Sequence, residues 1–299
     1  MTDILDILAC PLCLGKLSCD GGSLKCALGH TFDVAKSGYV NLLPPGKGKN
    51  SHTGDERGMV KARADFLSRG YYDRLDTRSA EIICGNIPKD ELTLVDMGAG
   101  EGWHTLKVTS ELINRGKEML SVGVDASKYA SECGMKKSRA ASLAGKNPYE
   151  IGSRASLVFI PANIFSLPIV NNCADVCLSM FAPIPWNEAY RVLKKSPDSM
   201  LLVLSSGKNH LIELRSLIYD SVNISDSLPE VPDGNVSFVS AETTELCFTA
   251  HLENSEDIKN LFTMTPFYYK TTEEGKKRLY SQNELDVTVD VNYTIFKLK

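Results

Sequence analysis

The sequence predicts an α/β fold: a Rossmann-like seven-stranded sheet covered by helices, with a small N-terminal zinc-binding module ahead of it. Two observations carry that prediction. From about residue 92 onward, short apolar runs alternate with amphipathic segments, which is how a parallel sheet buried on both faces reads in sequence. Before residue 31, three cysteines and a histidine stand at metal-ligand spacing, in a stretch too short to bury a core of its own.

The elements follow in order. Cys10-Pro-Leu-Cys13 and Cys26-Ala-Leu-Gly-His30 make the pattern C-x2-C-x12-C-x3-H. Zinc takes four thiolate or imidazole ligands tetrahedrally, and four protein ligands leave no open position, so the site reads as structural. Metal binding then supplies much of the module's folding energy. Cys19 lies between the pairs at poorer spacing, and a redox pair is the competing reading of the same cysteines. Pro44-Pro-Gly-Lys-Gly-Lys-Asn50 is a turn-rich cationic linker. It divides the chain into a zinc module (1–43), a basic linker with helices (44–85) and the main domain (86–299). Asp55–Arg69 reads as a helix with Met59, Ala62, Phe66 and Leu67 on one side and Gly70 as its stop. A second helix covers 72–83. Strands follow at Leu92–Asp96, Leu120–Asp125, Leu157–Ile160, Val176–Phe181 and Met200–Leu204. Thr244–Leu252 and Val287–Leu298, around a helix at Ser255–Met264, end the sheet in a hairpin-like pair.

Composition narrows the class. The chain has 299 residues, 43% hydrophobic and 23% charged, ordinary values for a soluble globular protein. No apolar run approaches the roughly eighteen residues of a membrane span, and the N-terminus lacks the basic and apolar regions of a signal peptide. Nine cysteines, an odd number, argue for a reducing compartment, hence the cytoplasm. The net charge of −4 excludes a protein that coats nucleic acid by bulk charge. Yet Lys36–Arg69 holds seven basic residues against three acidic ones, a segment able to meet phosphates locally.

The first predicted strand runs into Asp96-Met-Gly98-Ala-Gly100-Glu-Gly102. Glycines there let the backbone turn sharply and approach a ligand at the sheet's carboxyl edge. The spacing is G-x-G-x-G rather than the dinucleotide G-x-G-x-x-G, and an acid precedes it. Asp96 would repel a phosphate but suits the ammonium of an amino-acid moiety. Asp125 closes the second strand, placed to accept both ribose hydroxyls. Acid, glycine triplet and ribose acid together form the pattern of class I S-adenosylmethionine-dependent methyltransferases. In that fold Asn163, just past the third strand, meets the adenine amino group, or else is an ordinary loop residue. Phe181-Ala-Pro183, past the fourth strand, faces the methyl group. Enzymes that methylate exocyclic amines place Asp or Asn there, followed by Pro-Pro; its absence argues against such a target. Phe181 is expected to stack on a base or to be core.

Taken together, these residues resemble the RlmA (RrmA) family of bacterial 23S rRNA guanine-N1 methyltransferases, with TlrB as its antibiotic-resistance branch. The resemblance rests on both zinc knuckles, Gly38-Tyr-Val-Asn-Leu-Leu-Pro44, Gly54-Asp55, Ala62-Arg63 with Phe66-Leu67, and the Asp96 loop. It continues through Phe181-Ala-Pro183, His210-Leu-Ile-Glu-Leu214, Leu217-Ile-Tyr219 and Met264-Thr-Pro-Phe267. It implies that the zinc module binds an rRNA hairpin in domain II and that two subunits form a cleft around it. It also implies that Tyr72, Gly100, Glu101 and His210 line the cofactor pocket. Read alone, Tyr72 would be core and His210 the cap of a following helix. Two features depart from the family: Lys194-Lys-Ser-Pro-Asp-Ser199 replaces Lys-Pro-Gly-Gly, and the 135–156 connection is long.

The expected reaction is in-line transfer of the sulfonium methyl to a guanine ring nitrogen, with positioning as the main source of acceleration. Guanine N1 loses a proton, and Asp55 is the candidate acceptor; the competing reading makes it a helix N-cap. Two rivals compete. A methyltransferase for a quinone or polyketide-type small molecule leaves the zinc module without a purpose, except as a docking element. A non-enzymatic RNA-binding protein would not need Asp96, the glycines and Asp125 intact.

Overall fold

The computed structural model describes residues 3–44, 56–145, 147–150, 152, 156–222, 228–234 and 238–299. After a short helix α1 (Ile4–Ile7), the N-terminal module is a three-stranded antiparallel sheet of β1 (Leu17–Asp20), β2 (Ser23–Cys26) and β3 (Thr31–Asp33). The helices α2 (Arg57–Leu67) and α3 (Asp73–Asn86) lead into the main sheet. Its elements run β4 (Glu91–Met97), α4 (Trp103–Asn114), β5 (Glu118–Asp125), α5 (Lys128–Ala140), β6 (Leu157–Pro161), β7 (Val176–Met180), α6 (Trp186–Val192) and β8 (Met200–Ser206). Then come α7 (Ile212–Ile218), β9 (Phe238–Leu252), α8 (Ser255–Thr263), α9 (Glu273–Tyr280) and β10 (Leu285–Leu298).

Seven strands lie in the order β6-β5-β4-β7-β8-β10-β9. β4 to β8 are parallel, and β10 enters antiparallel between β8 and β9. The order reverses at β4, so a crevice opens at the carboxyl ends of β4 and β7, where ligands bind in open α/β sheets. Strand pleat sorts the core. Val95 and Met97 of β4, with Leu201 and Val203 of β8, face one way; Leu92, Leu94, Leu202 and Leu204 face the other.

The first face is covered partly by the zinc module. Ile4, Ile7, Leu8, Leu24, Val40 and Leu42 share a continuous buried cluster with β4, β5 and β6. Backbone bonds sew the junction: Ala9 N–H donates to the Pro168 carbonyl, Val170 N–H to Ile7 and Leu42 N–H to Pro161, at 2.9–3.0 Å. Arg139 of α5 donates to the Lys36 carbonyl (2.8 Å), and its guanidinium fills the space above Gly38, whose φ is +95°. The module thus borrows the core that thirty residues cannot build.

The predicted strand ending at Phe181 stops one residue earlier, because Phe181 adopts φ +53°, left-handed for a bulky residue. The helix read from Asp55 begins at Arg57 with Glu56 as its N-cap; Asp55 lies outside the described residues. The helix near His210 is α7, and its N-cap is Leu211, so the alternative of His210 as a cap falls.

Candidate active site and metal centre

The four expected zinc ligands converge. Cys10 Sγ and Cys26 Sγ lie 3.4 and 3.3 Å from His30 Nδ1, Cys13 Sγ lies 3.7 Å from Cys26 Sγ, and all four ligand atoms fall within 4.8 Å of one another. Tetrahedral zinc with bonds of about 2.3 Å to sulfur and 2.0–2.1 Å to nitrogen needs edges of about 3.5–3.8 Å, so the donor set fits. Local turns build it. Leu14 N–H and Gly29 N–H donate back to the Cys10 and Cys26 carbonyls, and Gly29 turns at φ +82°. Burial opposes ionisation of Cys26. The His30 and Leu28 amides, with the Cys13 and Cys10 thiols, outweigh it and bring the Cys26 thiol down to about 6. Cys19, on β1 opposite Leu24, stands outside the cluster.

The second site forms where β4 ends. Asp96 is buried; Thr105 of α4 donates to its Oδ2 (2.5 Å), and its Oδ1 has no hydrogen-bond partner among the described residues. Burial, with the carboxylates of Asp125 and Asp76, outweighs the Thr105 hydroxyl and raises Asp96 to about 6. A buried, half-satisfied acid beside a glycine loop has the chemistry to receive a cationic group.

The three glycines differ in purpose. A Cβ on Gly98 would lie 2.6 Å from Ala182 Cβ, so this glycine lets the β4 loop touch the loop after β7. Gly100 turns at φ +55°, and its N–H donates to Asp125 Oδ2 (3.0 Å). Ser127 N–H donates to Asp125 Oδ1 (2.7 Å), so the acid at the end of β5 is fixed against the loop. Gly102 is a packing residue: its Cβ would sit 2.6 Å from the Phe159 ring on β6. Gly123 and Gly134 meet the same ring, so three glycines clear space for one aromatic.

Tyr72, His210 and Phe181 come together. The His210 ring stacks on Phe181 at 5.6 Å between centroids and lies 6.4 Å from Tyr72. Burial pushes the Tyr72 hydroxyl well above its ordinary value, and no hydrogen-bond partner reaches it among the described residues. His210 Nδ1 accepts the Asp290 N–H (3.3 Å), which leaves the proton of the neutral ring on Nε2. Burial brings His210 down to about 4, so near neutral pH it is a donor and not a base. Phe181 is 42% exposed at the mouth of this group, with a ring face available to a planar ligand.

Two expected residues sit differently. Glu101 is buried, but its carboxylate pairs with Lys137 of α5 and accepts the Trp103 N–H (3.2 Å). Asn163 is exposed, and its Oδ1 accepts the Phe165 N–H (2.9 Å) in a local turn. Sequence reasoning passed over Thr105, Phe159, Asp290 and the role of Arg63. Phe159, Asp290 and Arg63 matter through partners distant in sequence, and Thr105 through Asp96, nine residues before it on another element.

Parallel strands broken at β4, an antiparallel β10 before the edge, and an acid–glycine loop facing a ribose-type acid define a class I S-adenosylmethionine-dependent methyltransferase. The N-terminal region, residues 8–52, matches the zinc-ribbon family model described as RlmA, N-terminal. Over 299 aligned positions the chain is 30% identical to YxjB of Bacillus subtilis (strain 168), provisionally named a 23S rRNA (guanine-N(1)-)-methyltransferase, with 96% of this chain and 95% of that one covered. A Micromonospora griseorubida protein named in the same provisional terms is 31% identical, covering 71% and 70%. The 23S rRNA (guanine(748)-N(1))-methyltransferase of Streptomyces fradiae is 31% identical, covering 71% and 68%. The chain belongs to this family of 23S rRNA (guanine-N1)-methyltransferases.

Proposed function

We propose that the chain transfers a methyl group from S-adenosylmethionine to N1 of a guanine in a 23S rRNA domain II hairpin. One observation carries this reading: an RlmA-type zinc ribbon with all four ligands and an S-adenosylmethionine loop with both acids stand on one chain that aligns end to end with rRNA methyltransferases. A small-molecule methyltransferase would need no such module.

Bound S-adenosylmethionine supplies an electrophilic methyl on a sulfonium sulfur. The chain's residues orient the partners. Asp96 receives the ammonium through its unpartnered oxygen, and Asp125 the ribose hydroxyls; Tyr72, Gly98, Gly100 and Glu101 line or shape the pocket, and Asn163 stands at the adenine end. The left-handed turn at Phe181 presents its ring to a guanine splayed from the hairpin loop. His210, whose Nδ1 accepts the Asp290 N–H, lines the cofactor pocket beside Tyr72. Asp55, two residues ahead of α2, is the proposed acceptor of the N1 proton. The zinc module holds the hairpin, and two copies form the cleft around it in the cytoplasm. Among the described residues no helix is long and apolar enough to cross a membrane.

The test is tritium transfer from labelled S-adenosylmethionine to naked 23S rRNA, mapped by primer extension. A single stop at a domain II guanine, lost in Asp125→Ala, is expected. Transfer to a polyketide or quinone acceptor with none to rRNA would overturn the reading.

A further inference from the structure

The cofactor loop faces a cation that none of the assignments above uses. Gly100 turns at φ +55°, and the atom that a Cβ there would meet within 4 Å is Arg63 Nη1, at 3.2 Å. Arg63 comes from α2, far from the loop in sequence. Its Nη2 donates to the Met264 carbonyl at the end of α8 (3.5 Å). The helix is pinned at its far end: Phe66 stacks near Tyr71 at 5.1 Å, Tyr71 Oη donates to Asp257 Oδ2 (2.8 Å), and Arg69 pairs with the same carboxylate at 3.4 Å. At its near end Arg57 lies 5.4 Å over the Tyr129 ring of α5. The helix therefore spans the mouth of the crevice from α8 to α5 and carries the guanidinium across the glycine loop.

Charge around the loop says what such a guanidinium is for. Asp96, Asp125 and Glu101 are anions, and the nearby lysines are committed: Lys137 to Glu101, and Lys107 to Asp73 at 2.9 Å. An α-amino acid is a zwitterion. Asp96 complements only its ammonium, which leaves the carboxylate next to acids unless a cation meets it. An arginine offers five donors in a planar fork matched to a carboxylate, so it can keep its existing partners and still engage a ligand. We infer that Arg63 recognises the carboxylate of the methionine moiety of S-adenosylmethionine, making α2 a cover whose placement over the pocket is coupled to cofactor binding. This inference rests on the methyltransferase reading above.

Calorimetry on the zinc-loaded full chain tests it with two ligands. S-adenosylhomocysteine keeps the amino-acid moiety; 5′-deoxy-5′-methylthioadenosine lacks it. Arg63→Met is expected to weaken S-adenosylhomocysteine binding about 10- to 100-fold, the range for a charge-assisted hydrogen-bonded pair, while changing methylthioadenosine binding less than about threefold. Arg63→Lys, a charge without the fork, should fall between. Equal loss for both ligands would mean that α2 had moved, and no loss for either would mean that no contact exists; each overturns the inference. A wild-type chain that binds neither ligand would overturn the methyltransferase reading itself.

Discussion

The zinc ribbon and the cofactor crevice both gather distant groups on one small ligand, but they are built in opposite ways. The ribbon's ligands lie within 21 residues, on two turns close together in the chain. The crevice draws on α2, α3, the ends of β4, β5 and β7, and the β8–α7 loop, so it exists only after the sheet has formed. The ribbon is in turn incomplete as a folding unit, since its apolar side chains finish a core that belongs to the sheet. Local chemistry and non-local packing therefore depend on each other in one direction for binding and in the other for stability.

The strongest way to break this comparison is to remove the metal. Structural zinc contributes on the order of 10 kcal/mol in isolated fingers. Cys26→Ala, or chelation, should strip zinc, lower the melting temperature and abolish rRNA methylation, while S-adenosylhomocysteine affinity stays within about threefold. Loss of cofactor affinity would show that the module's core contribution extends to the crevice. Asp125→Ala should act in reverse, weakening cofactor binding about 100-fold or more while one equivalent of zinc remains, as metal analysis and calorimetry would show. Asp96→Asn sharpens the picture through pH. Asp96 is raised to about 6 from 3.8, so its ionisation costs the cofactor-free fold up to about 3 kcal/mol above pH 6. The variant should therefore be more stable than wild type at pH 8 without cofactor, and the gain should vanish between pH 6 and 4. Wild-type cofactor affinity should fall below pH 6, as a proton displaces the ligand ammonium. Phe181→Ala is the smallest change, costing about 1–3 kcal/mol of base stacking. The expected readout is a rate on rRNA lowered about 5- to 150-fold with cofactor affinity unchanged.

How much was legible follows from the same contrast. C-x2-C and C-x3-H can be read without a fold, and the ligand set stands as spaced. The strands were legible because parallel strands buried on both faces are apolar throughout. Asp96 and Asp125 were legible because each is the acid at the carboxyl end of an apolar run, Asp125 closing β5 and Asp96 one residue before the end of β4. Gly102 was legible as a glycine but not as a packing residue, since its reason is the Phe159 ring, 57 residues on. The resemblance implied Glu101 as a pocket residue, but the pairing of its carboxylate with Lys137 on α5 has no signal in the loop itself. Arg63 was legible as part of a basic segment and of the Ala62-Arg63 motif, with no role attached to it. Its meaning appears when α2 crosses Gly100, a contact that no spacing encodes.

The central claim is that one chain joins RNA recognition by the ribbon to guanine-N1 methylation in the crevice. Mass spectrometry of nucleosides from 23S rRNA, treated with the zinc-loaded protein and S-adenosylmethionine, tests it most directly. The account predicts about one 1-methylguanosine per rRNA, absent with Cys26→Ala and with Asp125→Ala. Another methylated nucleoside, or 1-methylguanosine that persists with Cys26→Ala, would contradict it.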